Sequence, residues 1–355
     1  MWDVALEGGQ AWDDQDPPGD KILAGNDLLI FLAQDVGGRG SPSGQLLQAG
    51  DTWEIEIEVP VVGKKGWAYL AYFDAAPPPL SSVRYMRFSL KERRIASPFY
   101  ELAYSKKHIA VLKDMALAGK SVMDRFKVRG EAEMRVGFIK SSFHFNEEDV
   151  GGYLKGYSDG PVRTLWRSVN YVRLPLGLKT PRINCDHFYY PEHAEIPLLL
   201  SLRFLVDRAS LLLTADYRGH PFKRAFFAGP RPPVNLGTEK AREDFVEAPL
   251  DKRWIVLEGV GGTLLSLIQL PDEVARYSTV SLFLNNDPGG SNPPENYPGS
   301  EPEAGFRVET ERGLPKGDYI LYMVLFASRD PYQPGHEQKA IHLLNQKLTY
   351  RSLKQ

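Results

Sequence analysis

The densest group of chemically active residue types lies between residues 184 and 193, where the sequence reads Asn-Cys-Asp-His-Phe-Tyr-Tyr-Pro-Glu-His. This segment holds the chain's single cysteine and two of its seven histidines. A histidine can act as a general base near neutral pH, with a tyrosine or a carboxylate as its partner. We therefore take His187, Tyr189 and His193 as catalytic candidates of the kind that a lyase or hydrolase uses.

Two other interpretations of this segment stay open. In an extended chain, His187 and Tyr189 face one side and Asp186 faces the other, so the polar groups do not all converge. An aromatic strand that leads into a core strand is therefore one alternative. Zinc bound by Cys185, His187 and His193 is the other, although this spacing matches no familiar zinc pattern and lacks a fourth ligand.

An acidic stretch near the N-terminus could hold a hard cation, since Ca²⁺ takes several oxygen ligands. Asp14 and Asp16 occupy alternate positions, and Asp20 could return to the same ion. Pro18, however, stands where a regular calcium loop has an oxygen ligand. A structural calcium ion is one interpretation, and a solvated acidic loop is the other; no cofactor is required by either.

Aromatic side chains could form a platform for a sugar, because a flat ring contacts the C–H groups of a pyranose while polar neighbours bind its hydroxyls. The candidates Trp67 and Tyr72 come from a wider aromatic set: Trp67, Tyr69, Tyr72, Phe73, Trp166, Tyr171 and Tyr332. Core packing is the alternative role for most of these rings. Arg163 and Arg167, or Arg182, could neutralise the carboxylate of a uronic acid.

Residues 285–305 give the strongest loop signal, because their proline, glycine and asparagine content prevents a regular strand ladder. A loop of this length is usually functional or flexible. We expect it to be exposed, with Asn285, Asn286, Asn292 and Tyr297 suited to polar contacts with a partner. An inert excursion is the alternative.

Most of the secondary structure predicted around these residues is β-strand. Residues 53–59 alternate between apolar and acidic side chains, and residues 66–73 are rich in aromatic side chains. A short glycine-containing segment joins the two strands, which predicts a hairpin. Residues 198–205 and 210–217 form the clearest second hairpin. Further strand candidates cover residues 162–172, 254–258, 263–270, 279–285 and 319–327.

Helix signals are scarce. Ser105 could cap a helix that carries Ile109, Leu112 and Ala116 on one face and ends at Gly119. A second weak helix pattern begins near residue 337. Many strands and few helices predict a mainly β protein, namely a large antiparallel β-sandwich or super-sandwich with one or two short helices. Residues 1–355 form one such domain or two closely packed β-subdomains that divide near residue 150.

Composition narrows the classes of function. The 355 residues include 43 Lys and Arg against 45 Asp and Glu, with 43% hydrophobic residues, which argues against disorder and against a globally basic nucleic-acid binder. No apolar stretch reaches the length of a membrane span. No nucleotide-binding loop, zinc-protease motif or hydrolase elbow is present.

The segment that runs from residue 156 to residue 163, Gly-Tyr-Ser-Asp-Gly-Pro-Val-Arg, makes a tight turn before a strand that contains Trp-Arg-Ser-Val at 166–169. These residues resemble a strand entry in large β-sandwich proteins of the galactose-mutarotase-like, carbohydrate-active group. The remainder of the chain is similar to uncharacterised exported bacterial β-proteins. The resemblance implies a fold, and it transfers no catalytic residue because no matching histidine or carboxylate motif surrounds the turn.

The sequence therefore favours an exported β-sandwich that recognises a glycan or a protein of the cell envelope, in the periplasm or at the cell surface. The N-terminal residues show no signal peptide, and an exported protein without its signal would look the same. A carbohydrate-active enzyme of the lyase, hydrolase or epimerase type is one alternative. A subunit of a larger extracellular assembly is another.

Overall fold

The computed structural model describes most of the chain. The described residues are 2–6, 27–31, 36–40, 51–59, 64–74, 82–106, 111–136, 139–174, 177, 179–202, 206–228, 232–236, 242–247, 253–259, 261–287, 302–310, 313–345 and 349–354. Within them, no helix is long and apolar enough to cross a membrane.

Strands dominate the described chain. In chain order they are β1 (Trp2–Leu6), β2 (Asp27–Phe31), β3 (Asp51–Val59), β4 (Lys64–Tyr72), β5 (Arg87–Ser89), β6 (Arg94–Ala96), β7 (Tyr100–Tyr104), β8 (Leu112–Leu117), β9 (Lys120–Ser121), β10 (Met123–Val136), β11 (Ile139–Asn146), β12 (Val150–Asp159) and β13 (Thr164–Val172). They continue as β14 (Ile183–Tyr189), β15 (His193–Leu202), β16 (Val206–Tyr217), β17 (Phe222–Phe227), β18 (Val234–Asn235), β19 (Arg242–Glu247), β20 (Trp254–Gly259), β21 (Gly262–Gln269), β22 (Ser278–Asn285), β23 (Glu303–Thr310), β24 (Gly317–Ser328) and β25 (Thr349–Lys354). The described helices are α1 (Asp272–Ala275) and α2 (His336–Asn345).

These strands form antiparallel sheets, which confirms the mainly β prediction. The largest sheet has nine strands in the order β12-β13-β14-β15-β24-β21-β20-β17-β18. A six-stranded sheet has the order β11-β10-β16-β23-β22-β19, and a five-stranded sheet runs from β5 to β9. Smaller sheets join β25, β3 and β4, and join β1 to β2.

One apolar cluster joins the three larger sheets. It includes Leu102 of β7, Phe126 of β10 and Leu321 of β24, all buried. A second cluster lies on the other side of the nine-stranded sheet, where Trp254 and Val324 pack with Ala340 of α2. The nine-stranded sheet is therefore buried on both sides along its centre, as the continuous apolar runs of its strands require.

The predicted hairpin between residues 198–205 and 210–217 is wrong. β15 pairs with β14 and β24 in the nine-stranded sheet, whereas β16 pairs with β10 and β23 in the six-stranded sheet. The chain therefore crosses from one sheet to another between these strands. Two adjacent apolar strands look alike whether they pair with each other or face each other across a core, because local pattern does not encode the partner.

The helix predicted after Ser105 is also wrong. Leu112–Leu117 is strand β8, and Gly119 lies in the turn that joins it to β9 with φ of 75°. Of the residues chosen for one helical face, Leu112 is buried in this strand and Ala116 is half-buried in it, while Ile109 lies outside the described residues. The hairpin of β3 and β4 is confirmed, and so is a helix near residue 337, which is α2. The division near residue 150 stays a prediction.

Candidate functional site

One side of the six-stranded sheet is polar, and we call it the polar face. The strand register places its side chains in rows, because directly paired residues share a side of the sheet. One row runs Asn146, Arg129, Leu212, Arg307 and Ser281 across five strands. We call this the upper row. The row below it contains Lys127, Thr214, Gly305 and Phe283, and the lowest row contains Arg125, Asp216, Glu303 and Asn285.

The alternation of residues within β10 explains why polar side chains lie on one side of the sheet and apolar side chains on the other. Its central residues read Arg-Phe-Lys-Val-Arg from 125 to 129, so the three basic side chains point to one side. Phe126 points to the other side and belongs to the apolar core. β16 follows the same rule, since Leu213 packs in the core while Thr214 lies on the polar face.

The lower end of the polar face is buried and densely paired. Lys127 forms an ion pair with Asp216, and each side chain is only 1% exposed. The Thr214 hydroxyl donates a hydrogen bond of 2.7 Å to Glu303 Oε1. A buried ion pair gains little net stability but makes the removal of either partner costly. This end is therefore a buried polar base, and we expect it to be rigid because its side chains are bonded across neighbouring strands.

Arg125 ties this base to the turn after β11. Its Nε donates to Glu147 Oε1 at 2.7 Å and its Nη2 donates to Glu148 Oε1 at 2.6 Å. Glu147 also accepts a bond of 3.1 Å from the backbone N–H of Val128. Burial lowers the pKa of Arg125, but the two glutamates outweigh it and the pKa is raised overall. The turn that carries Asp149 is thus fixed against β10.

The upper end of the polar face opens into a cleft of about 490 Å³, which we call the polar cleft. Its lining combines basic, acidic, amide, hydroxyl and apolar groups: Arg129, Gly130, Glu131, His144, Phe145, Asn146, Asp149, Ser210, Leu212 and Arg307. A lining of this mixed composition does not favour a ligand that is wholly cationic or wholly apolar. Its lining contains both hydrogen-bond donors and acceptors.

Several contacts position the ionisable groups of the polar cleft. His144 Nε2 lies 4.0 Å from Glu131 Oε1, and their side chains are 69% and 55% exposed. Arg307 Nη1 lies 3.5 Å from Glu309 Oε1. Asp149 Oδ2 accepts a bond of 3.0 Å from the backbone N–H of Asn146. The cleft thus presents an imidazole and a carboxylate side by side to solvent.

The predicted catalytic residues His187 and Tyr189 lie elsewhere, in what we call the sealed cluster. This cluster occupies the core side of β13 and β14, where the polar and aromatic side chains are fully or almost fully buried: Thr164, Trp166, Ser168, Asn170, Cys185, His187 and Tyr189. Tyr104 of β7 packs across from it, with its ring 4.8 Å from that of Trp166 and its hydroxyl bonded to that of Tyr189.

A chain of hydrogen bonds runs through the sealed cluster. Asn170 Nδ2 donates to Ser168 Oγ at 2.9 Å, and Ser168 Oγ lies 2.9 Å from His187 Nε2. Ser168 Oγ thus bridges Asn170 and His187, since a hydroxyl oxygen can accept one bond while it donates or accepts another. Burial lowers the pKa of His187 to about 3 and raises that of Cys185 to about 11. Both groups are neutral at pH 7.

His193 lies on the opposite side of the nine-stranded sheet. Its ring stacks between Tyr190 and Phe326, with centroid distances of 4.5 and 4.9 Å. Its Nε2 is 3.5 Å from Glu195 Oε1. The structure therefore brings His187 and Tyr189 together but separates His193 from both. Their catalytic role stays a prediction.

Two predicted arginines share the outer side with His193. Arg167 makes two bonds of 2.6 Å to Asp186, one from Nε and one from Nη2. Arg163 is 5% exposed, and its Cζ lies 5.6 Å from the ring centroid of Phe188.

The predicted aromatic candidates Trp67 and Tyr72 lie on β4. Because they are an odd number of residues apart, their side chains point to opposite sides of the strand, and Tyr72 is 57% exposed.

The remaining predicted positions divide in two. Asp14, Asp16, Asp20, Asn292 and Tyr297 lie outside the described residues, so the calcium site and the loop contacts stay predictions. Asn285 and Asn286 are described and buried, against the expected exposure, and Asn286 Nδ2 donates to Leu236 O at 2.8 Å. In the described part of the chain, no three His, Cys, Asp or Glu residues are placed to hold a metal, which includes the proposed zinc ligands.

The sequence interpretation missed the polar face entirely. The available signal was the alternation of basic and apolar residues at 125–129, together with the acidic and basic alternation of Glu303, Arg307 and Glu309 in β23. Each strand could have been recognised as polar on one side. Their assembly into one surface depended on pairings between distant strands.

No family model and no curated protein matches the chain. An α-mannosidase from Enterococcus faecalis aligns with a TM-score of 0.43 and 10% identity, over 84% of this chain and 39% of that one. A glycosyl hydrolase family 38 protein from the same species aligns with a TM-score of 0.42 and 9% identity, over 85% and 40%. This chain thus spans about two fifths of their length, and at these scores the likenesses carry no functional argument.

Proposed function

We propose that this chain is a carbohydrate-binding protein that holds an oligosaccharide in the polar cleft. The single observation that carries the proposal is the mixed lining of that cleft, in which Arg129 and Arg307 supply donors while Glu131 and Asp149 supply acceptors. Each sugar hydroxyl both donates and accepts a hydrogen bond, so it needs such a mixture around it. A cleft of about 490 Å³ is of the size that small-molecule sites have.

The buried base beneath the cleft supports the same proposal. Lys127, Asp216, Thr214 and Glu303 hold their strands in fixed positions through side-chain bonds that ligand binding does not have to make. A preorganised site loses less conformational entropy on binding. We place the protein in the periplasm or at the cell surface, where glycans are displayed, as part of the proposal.

A glycan array of neutral and acidic oligosaccharides, followed by calorimetric titration of the best binder, tests the proposal. The double variant Glu131→Gln with His144→Ala changes two well-exposed cleft residues, and we expect at least a tenfold loss of affinity. Glu133→Gln is the matched control, because Glu133 is exposed two residues further along β10 and does not line the cleft. A silent array, or binding that the double variant leaves unchanged, would refute the proposal.

A carbohydrate-active enzyme is the second candidate, and the neighbouring pair of His144 and Glu131 favours it. An imidazole and a carboxylate at 4.0 Å could divide the roles of acid and base on a bound sugar. Incubation with a panel of uronic-acid polymers and neutral glycans would reveal unsaturated or hydrolysed products. Activity abolished by His144→Ala but retained by His187→Ala would assign the reaction to the polar cleft.

A further inference from the structure

A second charged cleft lies on the outer side of the five-stranded sheet, and we call it the arginine cleft. It encloses about 420 Å³. Three arginines and one glutamate line it, namely Arg84, Arg87, Arg329 and Glu101. None of these residues lines the polar cleft, so the two clefts are separate sites.

The floor of the arginine cleft is made of small side chains. The strand register places Arg87, Ala96, Glu101 and Ala116 in one row across β5, β6, β7 and β8. The neighbouring residues on these strands, such as Leu102 and Met115, point into the core. Ala96 lies between Arg87 and Glu101, and Ala116 lies between Glu101 and Ser121, so two small side chains leave space above the sheet where larger residues would fill it.

The charges of the arginine cleft are unequally neutralised. Glu101 forms an ion pair with Arg94, and Arg84 donates to Asp159 Oδ1 at 2.8 Å. Arg329 Nη2 donates to the backbone carbonyl of Pro98 at 2.8 Å. Among the described residues, no carboxylate pairs with Arg87 or Arg329. Two guanidinium charges therefore face the cleft without a counter-charge.

The rim of the arginine cleft is open and partly aromatic. A Cβ atom added to Gly119 would meet nothing within 4 Å. The rings of Tyr85 and Phe99, both half-buried, lie among the lining residues. A ligand could therefore bind its charged group to the arginines while its apolar surface contacts a ring.

We propose that the arginine cleft binds an acidic sugar through its oxyanion, which is a carboxylate, sulfate or phosphate group. Guanidinium groups match planar or tetrahedral oxyanions through paired hydrogen bonds. The unpaired charges of Arg87 and Arg329 supply the attraction, and Ala96 and Ala116 supply the room. This site does not depend on the function proposed for the polar cleft.

Ligand-observed NMR titration tests the proposal with four probes at constant ionic strength: glucuronate, glucose 6-sulfate, glucose 6-phosphate and neutral glucose. We expect at least one acidic sugar to bind at least tenfold more tightly than glucose, and the strongest of them identifies the oxyanion. The double variant Arg87→Gln with Arg329→Gln should weaken this binding at least tenfold. Arg208→Gln, which changes an exposed arginine outside both clefts, should not.

A second variant keeps the test decisive if the double variant fails to fold. Ala96→Leu retains every charge and fills the floor, so it should also weaken binding at least tenfold. The polar-cleft variant Glu131→Gln with His144→Ala should bind the acidic sugar as the parent does, which separates the two sites. Acidic sugars that bind no better than glucose, or binding that Ala96→Leu leaves unchanged, would overturn the proposal.

Discussion

The polar cleft and the sealed cluster contain similar residue types in opposite environments. Both contain a histidine close to a polar side chain. His144 is 69% exposed beside Glu131, whereas His187 is fully buried beside Ser168. The imidazole in the cleft can meet a ligand, while the imidazole in the cluster is held neutral among aromatic rings.

A high density of reactive residue types in the sequence is therefore a poor guide to the position of a site. The segment around His187 is the richest in the chain, yet half of it faces the core because strand residues alternate. The polar cleft draws its residues from β10, β11, β16 and β23 and from the turn after β11, none of which is rich in histidine. Exposure and convergence decide what can react, and both are properties of the assembled sheet.

The buried base of the polar face should give the largest effect on stability. Replacing Lys127 by methionine leaves Asp216 buried without its cation, and we expect a loss of about 3–5 kcal/mol in the free energy of unfolding. Urea unfolding monitored by tryptophan fluorescence measures it. Because the fold must survive for comparison, folding should be verified by circular dichroism first.

The double variant Lys127→Met with Asp216→Leu sharpens this result. It removes both charges, so it should recover a large part of the lost stability. Recovery would show that the loss in Lys127→Met comes from the unpaired charge of Asp216, and that the polar base can pack without the ion pair. If Lys127→Met alone costs less than 1 kcal/mol, the base is not the rigid support that we describe.

The sealed cluster should respond to pH instead. The pKa of His187 is lowered to about 3 in the folded protein, against an ordinary value near 6.5. Below pH 6.5 the His187 side chain binds a proton in the unfolded chain but not in the folded chain. The free energy of unfolding therefore decreases as the pH is lowered below 6.5, and His187 causes no such loss above pH 6.5. We expect a loss of about 2 kcal/mol between pH 6.5 and pH 5.

Comparison with two variants isolates this contribution from that of the carboxylates. His187→Gln cannot titrate and should have a shallower decline in unfolding free energy between pH 6.5 and pH 5. His144→Gln changes an exposed histidine and should follow the parent. Equal slopes for the parent and His187→Gln would show that His187 titrates normally, and the cluster would then not be sealed.

Much of the fold could be predicted from the sequence, but the pairing of its strands could not. Alternation at residues 53–59 correctly predicts a strand, and the alternation at 125–129 is enough to tell which of its side chains share a side, because side-chain direction is a local property. Whether β16 pairs with β15 or with β10 depends on contacts between distant segments, and the predicted hairpin failed there. The polar face escaped detection for the same physical reason.

A tyrosine pair in the sealed cluster should show a smaller, coupled effect. The Tyr189 hydroxyl donates to the Tyr104 hydroxyl at 2.6 Å, and both are buried. Tyr189→Phe should cost about 1 kcal/mol, and Tyr104→Phe about 1–3 kcal/mol because it leaves a buried donor without its acceptor. The double variant should cost less than the sum, as a urea-unfolding cycle would measure. Strict additivity would contradict the bond.

The smallest effect on stability should come from the polar cleft, which completes the contrast with the sealed cluster. Glu131 and His144 are more than half exposed and 4.0 Å apart, and such surface pairs contribute about 0–1 kcal/mol. The double variant Glu131→Gln with His144→Ala should therefore change the unfolding free energy by less than about 1 kcal/mol. Thermal and urea unfolding at pH 7 measure this, with Glu133→Gln as the control. A loss comparable to that of Lys127→Met would mean that these residues support the sheet, and the cleft would then be part of its packing and not a site kept open for a ligand.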